Sequence, residues 1–189
     1  MRLILASASA RRRDLLNAAG ISHVADAIDA DERRLPDEPA ATYAARVALA
    51  KARAGQVRHP DDAVLGADTI VVVDRDVLGK PSDDADAIAM LTRLSGREHE
   101  VLTAVSLVWP GHERSVVERT RVWFTALDAG QIRWYVDSEE PRDKAGAYAI
   151  QGLGSRFVLR IEGSYANVVG LPVATVLPLL REAGVVTPG

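Results

Sequence analysis

Apolar positions follow two regimes along the chain: short continuous runs, and longer stretches with apolar residues three or four apart. Leu3-Ile4-Leu5-Ala6 is the first run and predicts a buried strand. The spacing then predicts a helix from about Ala10 to Ala19, with Ser9 placed to cap its start, Leu15 and Leu16 on the core side, and Gly20 just past its end. A short extended piece near His23 to Ile28 leads into the acidic turn Asp29-Ala30-Asp31-Glu32. Ala40 to Ala54 reads as a helix ended by Gly55, which puts Lys51 and Arg53 in a last turn where cations suit the dipole.

The run from Ala63 to Val73 is the strongest strand signal, near-continuously apolar as in a strand covered on both faces. Asp74 opens a turn, Val77-Leu78 reads as a short return strand, and Gly79-Lys80-Pro81 as a rigid turn. Asp83 to Ser95 carries Ala87, Ile88, Leu91 and Leu94 at helical spacing, with Gly96 as terminator. Val101 to Trp109 and Ser115 to Leu127 flank residues 110–113 and predict a hairpin. Asp128 and Gln131 resemble a capping box for a helix through about Ser138. EEPRDKAGAYAIQGLGS is irregular, Phe157 to Ile161 reads as a strand, GSYANVVGLP as a loop, and Pro178 marks a kink or late start in a final helix. No internal repeat, low-complexity tract or clear linker is visible.

Composition narrows the field. At 189 residues the chain can bury one core, so a single domain over residues 1–189, compact or two-lobed, is expected. A net charge of −3 excludes a generic nucleic-acid binder, which relies on a broad excess of lysine and arginine. The absence of cysteine removes disulfides and thiolate metal ligands. Leu3 to Ala6 is shorter than the apolar region of a signal peptide, and no segment approaches the roughly 18 apolar residues of a membrane span. A soluble cytoplasmic protein without a membrane partner is therefore expected.

Several groups stand out against this background. Ser7, Ser9, Arg11, Arg12 and Arg13 lie where a strand gives way to a helix, and a helix start exposes N–H groups and positive dipole to an anion. Cations there oppose the dipole by about 0.3–1 kcal/mol each unless an anion binds, although a solvated arginine run is the alternative reading. Asp68 lies inside an apolar strand, where a carboxylate must find hydrogen bonds, a cation or a metal. It reads either as a structural aspartate held by Thr69 or backbone donors, or as a general base or metal ligand. Asp31-Glu32 lies in a loop without a capping role and is a candidate for a hard cation. Asp83-Asp84 is accounted for by capping. Lys80 is held by its rigid turn, and Gln151, among apolar residues and glycines, has the donor and acceptor needed to read a nucleobase edge. His23, His59, His99 and His112 lack metal-ligand spacing. The P-loop pattern, a strand-linked G-x-G-x-x-G and G-x-S-x-G are all absent.

Taken in order, Ser7 to Arg13, Glu32, Lys51, GADTIVV at 66 to 72, LGKP at 78 to 81, DKAGAYAIQG at 143 to 152 and NVVGLP at 167 to 172 resemble the Maf family of nucleoside triphosphate pyrophosphatases. The resemblance spans about residue 2 to residue 182. It implies an ITPase-like α/β fold, a long mixed twisted sheet flanked by helices in two lobes with a central cleft, and a homodimer. It is similar to the dTTP/UTP branch, whose specificity positions match Arg12, Thr69 and Gln151. The branch acting on 7-methyl-GTP has bulkier or acidic residues there and a glutamine after the aspartate. Ala10 departs from the family, which usually places proline at the first helical position; the loss of a pre-set φ loosens the motif without removing a ligand group.

The resemblance implies hydrolysis of the α–β phosphoanhydride to a monophosphate and pyrophosphate. Glu32 and Asp68 would hold Mg²⁺, Mn²⁺ or Co²⁺, with Asp68 as base or ligand. Arg11, Lys51 and Lys80 would clamp the triphosphate beside the Ser7–Ser9 turn, while Arg12, Thr69 and Gln151 would read the pyrimidine. A second reading is a nucleotide-binding regulator of septum formation without turnover. A third, an RNA-binding module, is opposed by the acidic balance and by the lack of aromatic residues among the basic ones.

Overall fold

The computed structural model describes residues 1–186. It contains strands β1 (Leu3–Ala6), β2 (Val24–Ala25), β3 (Ala63–Val73), β4 (Asp76–Leu78), β5 (Glu98–Trp109), β6 (His112–Phe124) and β7 (Val158–Glu162). The helices are α1 (Ala10–Ala18), α2 (Ala40–Arg58), α3 (Asp84–Leu94), α4 (Ala129–Asp137), α5 (Tyr165–Val169) and α6 (Val173–Glu182). The strands form one mixed sheet in the order β2-β1-β3-β5-β6-β7, with β4 on β3. β1 is parallel to β2 and to β3, pairing Leu3 with Ala63 and Ala6 with Gly66, whereas β4 and β7 run antiparallel to β3 and β6.

The chain divides into two compact units. One comprises Met1–Asp68, Thr103–Glu118 and the stretch from Gly170; the other comprises Thr69–Leu102 and Arg119–Val169. In the first, the alternation of β1 sends Leu3 and Leu5 into a cluster with Leu16, Leu65, Leu107 and Leu180, while Ile4 and Ala6 pack with Val64 and Ile28. A strand buried on both faces is what its unbroken apolar run predicts. In the second unit α3 and α4 pack Leu91, Leu94, Ile132 and Tyr135 with Val71 and Phe124. His99 is buried there, sharing a 2.8 Å hydrogen bond with the Tyr148 hydroxyl and meeting the rings of Phe124 and Tyr148 edge-on.

Most predicted elements appear within a residue or two of their expected bounds. Ser9 occupies the N-cap of α1, but its side chain makes no capping bond; Gly20 follows the C-cap with φ +68°. Asp83 caps α3 through the Asp86 N–H, and Asp128 and Gln131 form the capping box of α4. Pro110-Gly111 alone joins β5 to β6, a tighter hairpin than the segment 110–113 suggests.

Four expectations are corrected. The extended piece after His23 is only Val24–Ala25. Residues 165–169 of the expected loop form α5. Gly55 does not end α2, which continues to Arg58 with Lys51 in its interior. The reason is packing: a Cβ on Gly55 would stand 2.7 Å from Val64 Cγ1, so this glycine lets the helix lie on the sheet. α6 begins at Val173 and carries Pro178 within it, so the late start does not occur.

Candidate active site

The end of β1 and the start of α1 are tied together locally. Ser7 N–H donates to the Leu5 carbonyl at 2.9 Å, and Ser7 Oγ accepts the Ser9 N–H at 3.2 Å. Arg12 then reaches inward. Its Nη1 donates to Ser7 Oγ at 3.1 Å and to the Ala67 carbonyl at 3.0 Å, and its Nε donates to the Gly170 carbonyl at 2.9 Å. Loss of water lowers its pKa, an effect that the nearby Asp68 and Glu32 carboxylates oppose. Arg11 is half-buried and Arg13 is exposed.

Asp68 lies one residue beyond the carbonyl that Arg12 holds. It is buried, and its Oδ1 accepts from Lys51 Nζ at 3.0 Å. The same ammonium meets Glu32 Oε1 at 2.8 Å, so two carboxylates from distant parts of the sequence converge on one buried cation. Burial pushes the Asp68 carboxyl above its ordinary value, while Lys51 and then Arg12 pull it down and Glu32 adds to the rise. The Asp68 carboxylate, read from the sequence either as structural or as a base or ligand, has a lysine side chain as a partner.

Glu32 sits in a segment without regular structure, and α2 holds that segment. The Tyr43 hydroxyl donates to the Glu32 carbonyl at 2.8 Å. Arg46 donates to the Arg33 carbonyl at 2.8 Å and grips Glu38 through Nε and Nη2 at 2.7 and 2.8 Å. These groups are absent from the sequence reading, which treats the region only as a helix. Helical spacing was the usable signal: Tyr43, Val47 and Lys51 share one face.

The remaining candidates belong to the second unit. Thr69 is half-buried, while Lys80 and Gln151 are exposed. The Gly79-Lys80-Pro81 turn is linked to the DKAGAYAIQG segment by the Gly146 N–H donating to the Gly79 carbonyl at 3.0 Å. The loop bearing Gln151 is fixed by Glu140, which accepts from Leu153 N–H, Gly154 N–H and the Tyr135 hydroxyl. A Cβ on Gly152 would come within 2.5 Å of Glu140 Oε2, which is why the loop is glycine-rich here.

Among the described residues no three His, Asp or Glu side chains gather as a metal cage. Glu32 and Asp68 are instead a two-carboxylate pair, the donor number that Mg²⁺-like ions accept when phosphate and water supply the rest. Hard oxygen atoms that already converge on a cation fit such an ion.

Fold and site together define an α/β protein with a buried carboxylate–lysine–carboxylate centre beside an arginine-bearing helix start. The model of the family described as Maf-like protein matches residues 2–183, and the chain belongs to the Maf family. It is 50% identical to the dTTP/UTP pyrophosphatase of Myxococcus xanthus over 98% of this chain and 94% of that one. Identity is likewise 50% to the proteins of the same name from Symbiobacterium thermophilum, over 96% and 94%, and Vibrio parahaemolyticus, over 95% and 96%. The structure of the Staphylococcus aureus Ham1 protein matches with a TM-score of 0.53 at 11% identity, covering 97% of this chain and all of that one. That likeness is one of fold, and it bears out the ITPase-like architecture expected from the sequence.

Proposed function

We propose that this protein hydrolyses dTTP and UTP, together with modified pyrimidine triphosphates of similar shape, to the monophosphate and pyrophosphate. Family membership and the names of its relatives support the reaction. The observation that carries it in the chain itself is the convergence of Asp68 and Glu32 on Lys51.

Phosphoryl transfer asks a protein mainly for positioning and for neutralisation of charge. Asp68, as carboxylate, takes the proton of the attacking water as the water oxygen bonds to phosphorus and pyrophosphate departs with the bridging oxygen. Lys51 lies against this carboxylate. With Arg11 and Lys80 it offsets the negative charge of the triphosphate, and the backbone N–H groups after Ser9 receive phosphate oxygens. Arg12, fixed by Ser7, Ala67 and Gly170, would read the base edge with Thr69 and Gln151. Glu32 and Asp68 are the proposed ligands of Mg²⁺, Mn²⁺ or Co²⁺, which supplies charge neutralisation and Lewis acidity when bound. From the family resemblance, a homodimer in the cytoplasm is the proposed setting.

Pyrophosphate release measured across pyrimidine, purine and modified triphosphates with each ion tests the reading. Fast release from dTTP and UTP is expected, and Asp68→Ala should reduce it to background. Tight binding of pyrimidine triphosphate without release would instead support the septum-regulator alternative. A near-wild-type rate in Asp68→Ala would remove Asp68 from the reaction.

A further inference from the structure

Glu32 has no helix or strand to hold it, yet as a metal ligand it must be placed to within about 0.5 Å. Within the segment around it, Arg33 donates to Asp31 and the Leu35 N–H donates to Glu38. Its own charged pair, Arg33 with Asp31, is exposed and does not reach α2. The ties from α2 are the ones that reach Glu32 itself. The Tyr43 hydroxyl binds the Glu32 carbonyl, and Lys51, on the same helical face, binds the Glu32 carboxylate, so one helix holds this residue at both its backbone and its side chain. Arg46 extends the grip by one residue through the Arg33 carbonyl and locks onto Glu38 with two short bonds. Glu38 closes the segment in turn by accepting the Leu35 N–H at 3.1 Å, while its carbonyl accepts from Arg34. Glu38 is buried and its carboxylate is paired with the Arg46 guanidinium, an arrangement hard to explain as surface decoration.

We propose that Tyr43, Arg46 and Glu38 form a positioning device that presents Glu32 to a divalent cation beside Asp68. The proposal rests on the pyrophosphatase reading, but concerns residues that contact neither phosphate nor base in that reading. Outer partners that orient a metal ligand are typically worth 10- to 100-fold in affinity or activity.

Tyr43→Phe removes a single hydroxyl, and Arg46→Lys keeps the charge while losing the two-pronged grip. Mn²⁺ binding to the nucleotide-free protein, followed by electron paramagnetic resonance, gives a readout independent of turnover. Both variants are expected to weaken Mn²⁺ about tenfold and to lower kcat by a similar factor, with KM for dTTP changed about twofold or less and thermal unfolding little altered. In a Glu32→Gln background, Tyr43→Phe should have almost no further effect on either quantity, because the group it serves is gone. A merely structural role predicts that the two losses add. The proposal is overturned if Tyr43→Phe binds Mn²⁺ like the wild type, if its effect adds fully to Glu32→Gln, or if the wild type binds no Mn²⁺. Normal Mn²⁺ behaviour without pyrophosphate release from any triphosphate would count against the proposed reaction alone.

Discussion

Asp68 stands between opposing influences, desolvation raising its pKa and the Lys51 and Arg12 cations lowering it, with desolvation ahead. A raised folded value means that the native state binds this proton more tightly than the unfolded chain does. The contribution to stability is therefore present at low pH and is lost as pH rises through the folded pKa. In the proposed reaction activity runs the other way, since only the carboxylate accepts a proton. The acid limb of kcat/KM for dTTP is expected above the ordinary aspartate value of about 3.9, as a pH–rate profile will show. Asp68→Asn should keep the fold and lower kcat by about 10²- to 10⁴-fold. Lys51→Met strands a buried carboxylate without its cation, and urea unfolding should reveal a loss of about 3 kcal/mol. The sequence marks Asp68 as anomalous because a charge in an apolar strand needs a partner. It does not name the partner, because Lys51 meets Asp68 through the packing of α2 on β3 and not through any local pattern.

At the scale of elements, two glycines decide how closely α2 lies on the sheet. A Cβ on Gly66 would stand 2.2 Å from the Ala48 carbonyl oxygen and 2.7 Å from the Ala52 nitrogen, both backbone atoms that move only with the helix. Gly66→Ala is expected to cost about 3 kcal/mol or more in thermal or urea unfolding, and to displace Lys51 from Asp68. Gly55→Ala meets a side chain, Val64, that can rotate, and it gains helix propensity of about 1 kcal/mol, so its net loss should be smaller. Reading Gly55 as a terminator follows from composition, since glycine commonly ends helices. What overrides it is a contact with a strand that begins beyond the helix, invisible to local pattern. Capping boxes and apolar runs, in contrast, act within a few residues, and there the expected bounds of β3, α3 and α4 agree with the structure. Tyr43 and Arg46 escaped notice for the same reason as Gly55: their partners lie in a loop with no periodicity to read.

For the molecule as a whole, His99 sets a pH dependence of stability. Burial lowers its pKa to about 4, beneath the ordinary value of 6.5, so the unfolded chain binds a proton that the folded protein refuses. The His99 contribution to stability is full above about pH 6.5 and falls by up to roughly 3 kcal/mol as pH drops towards 4. His99→Phe should flatten that slope in urea titrations at a series of pH values. Apolar runs and helical spacings made the single elements legible, whereas the α/β plan followed from the ordered motifs that carry the family resemblance. The site was only partly legible: its residue types stood out, whereas their partners depend on tertiary contacts. One such contact is the bond from Arg12 to the Gly170 carbonyl, joined by Leu171, Val176 and Leu180 from the same end of the chain in the core around β1. A ribosome making this protein must therefore deliver the chain through Gly170 before the first helix acquires this anchor, so a nascent chain stopped short of Gly170 would carry the arginines and the buried acid but lack the clasp that orders them.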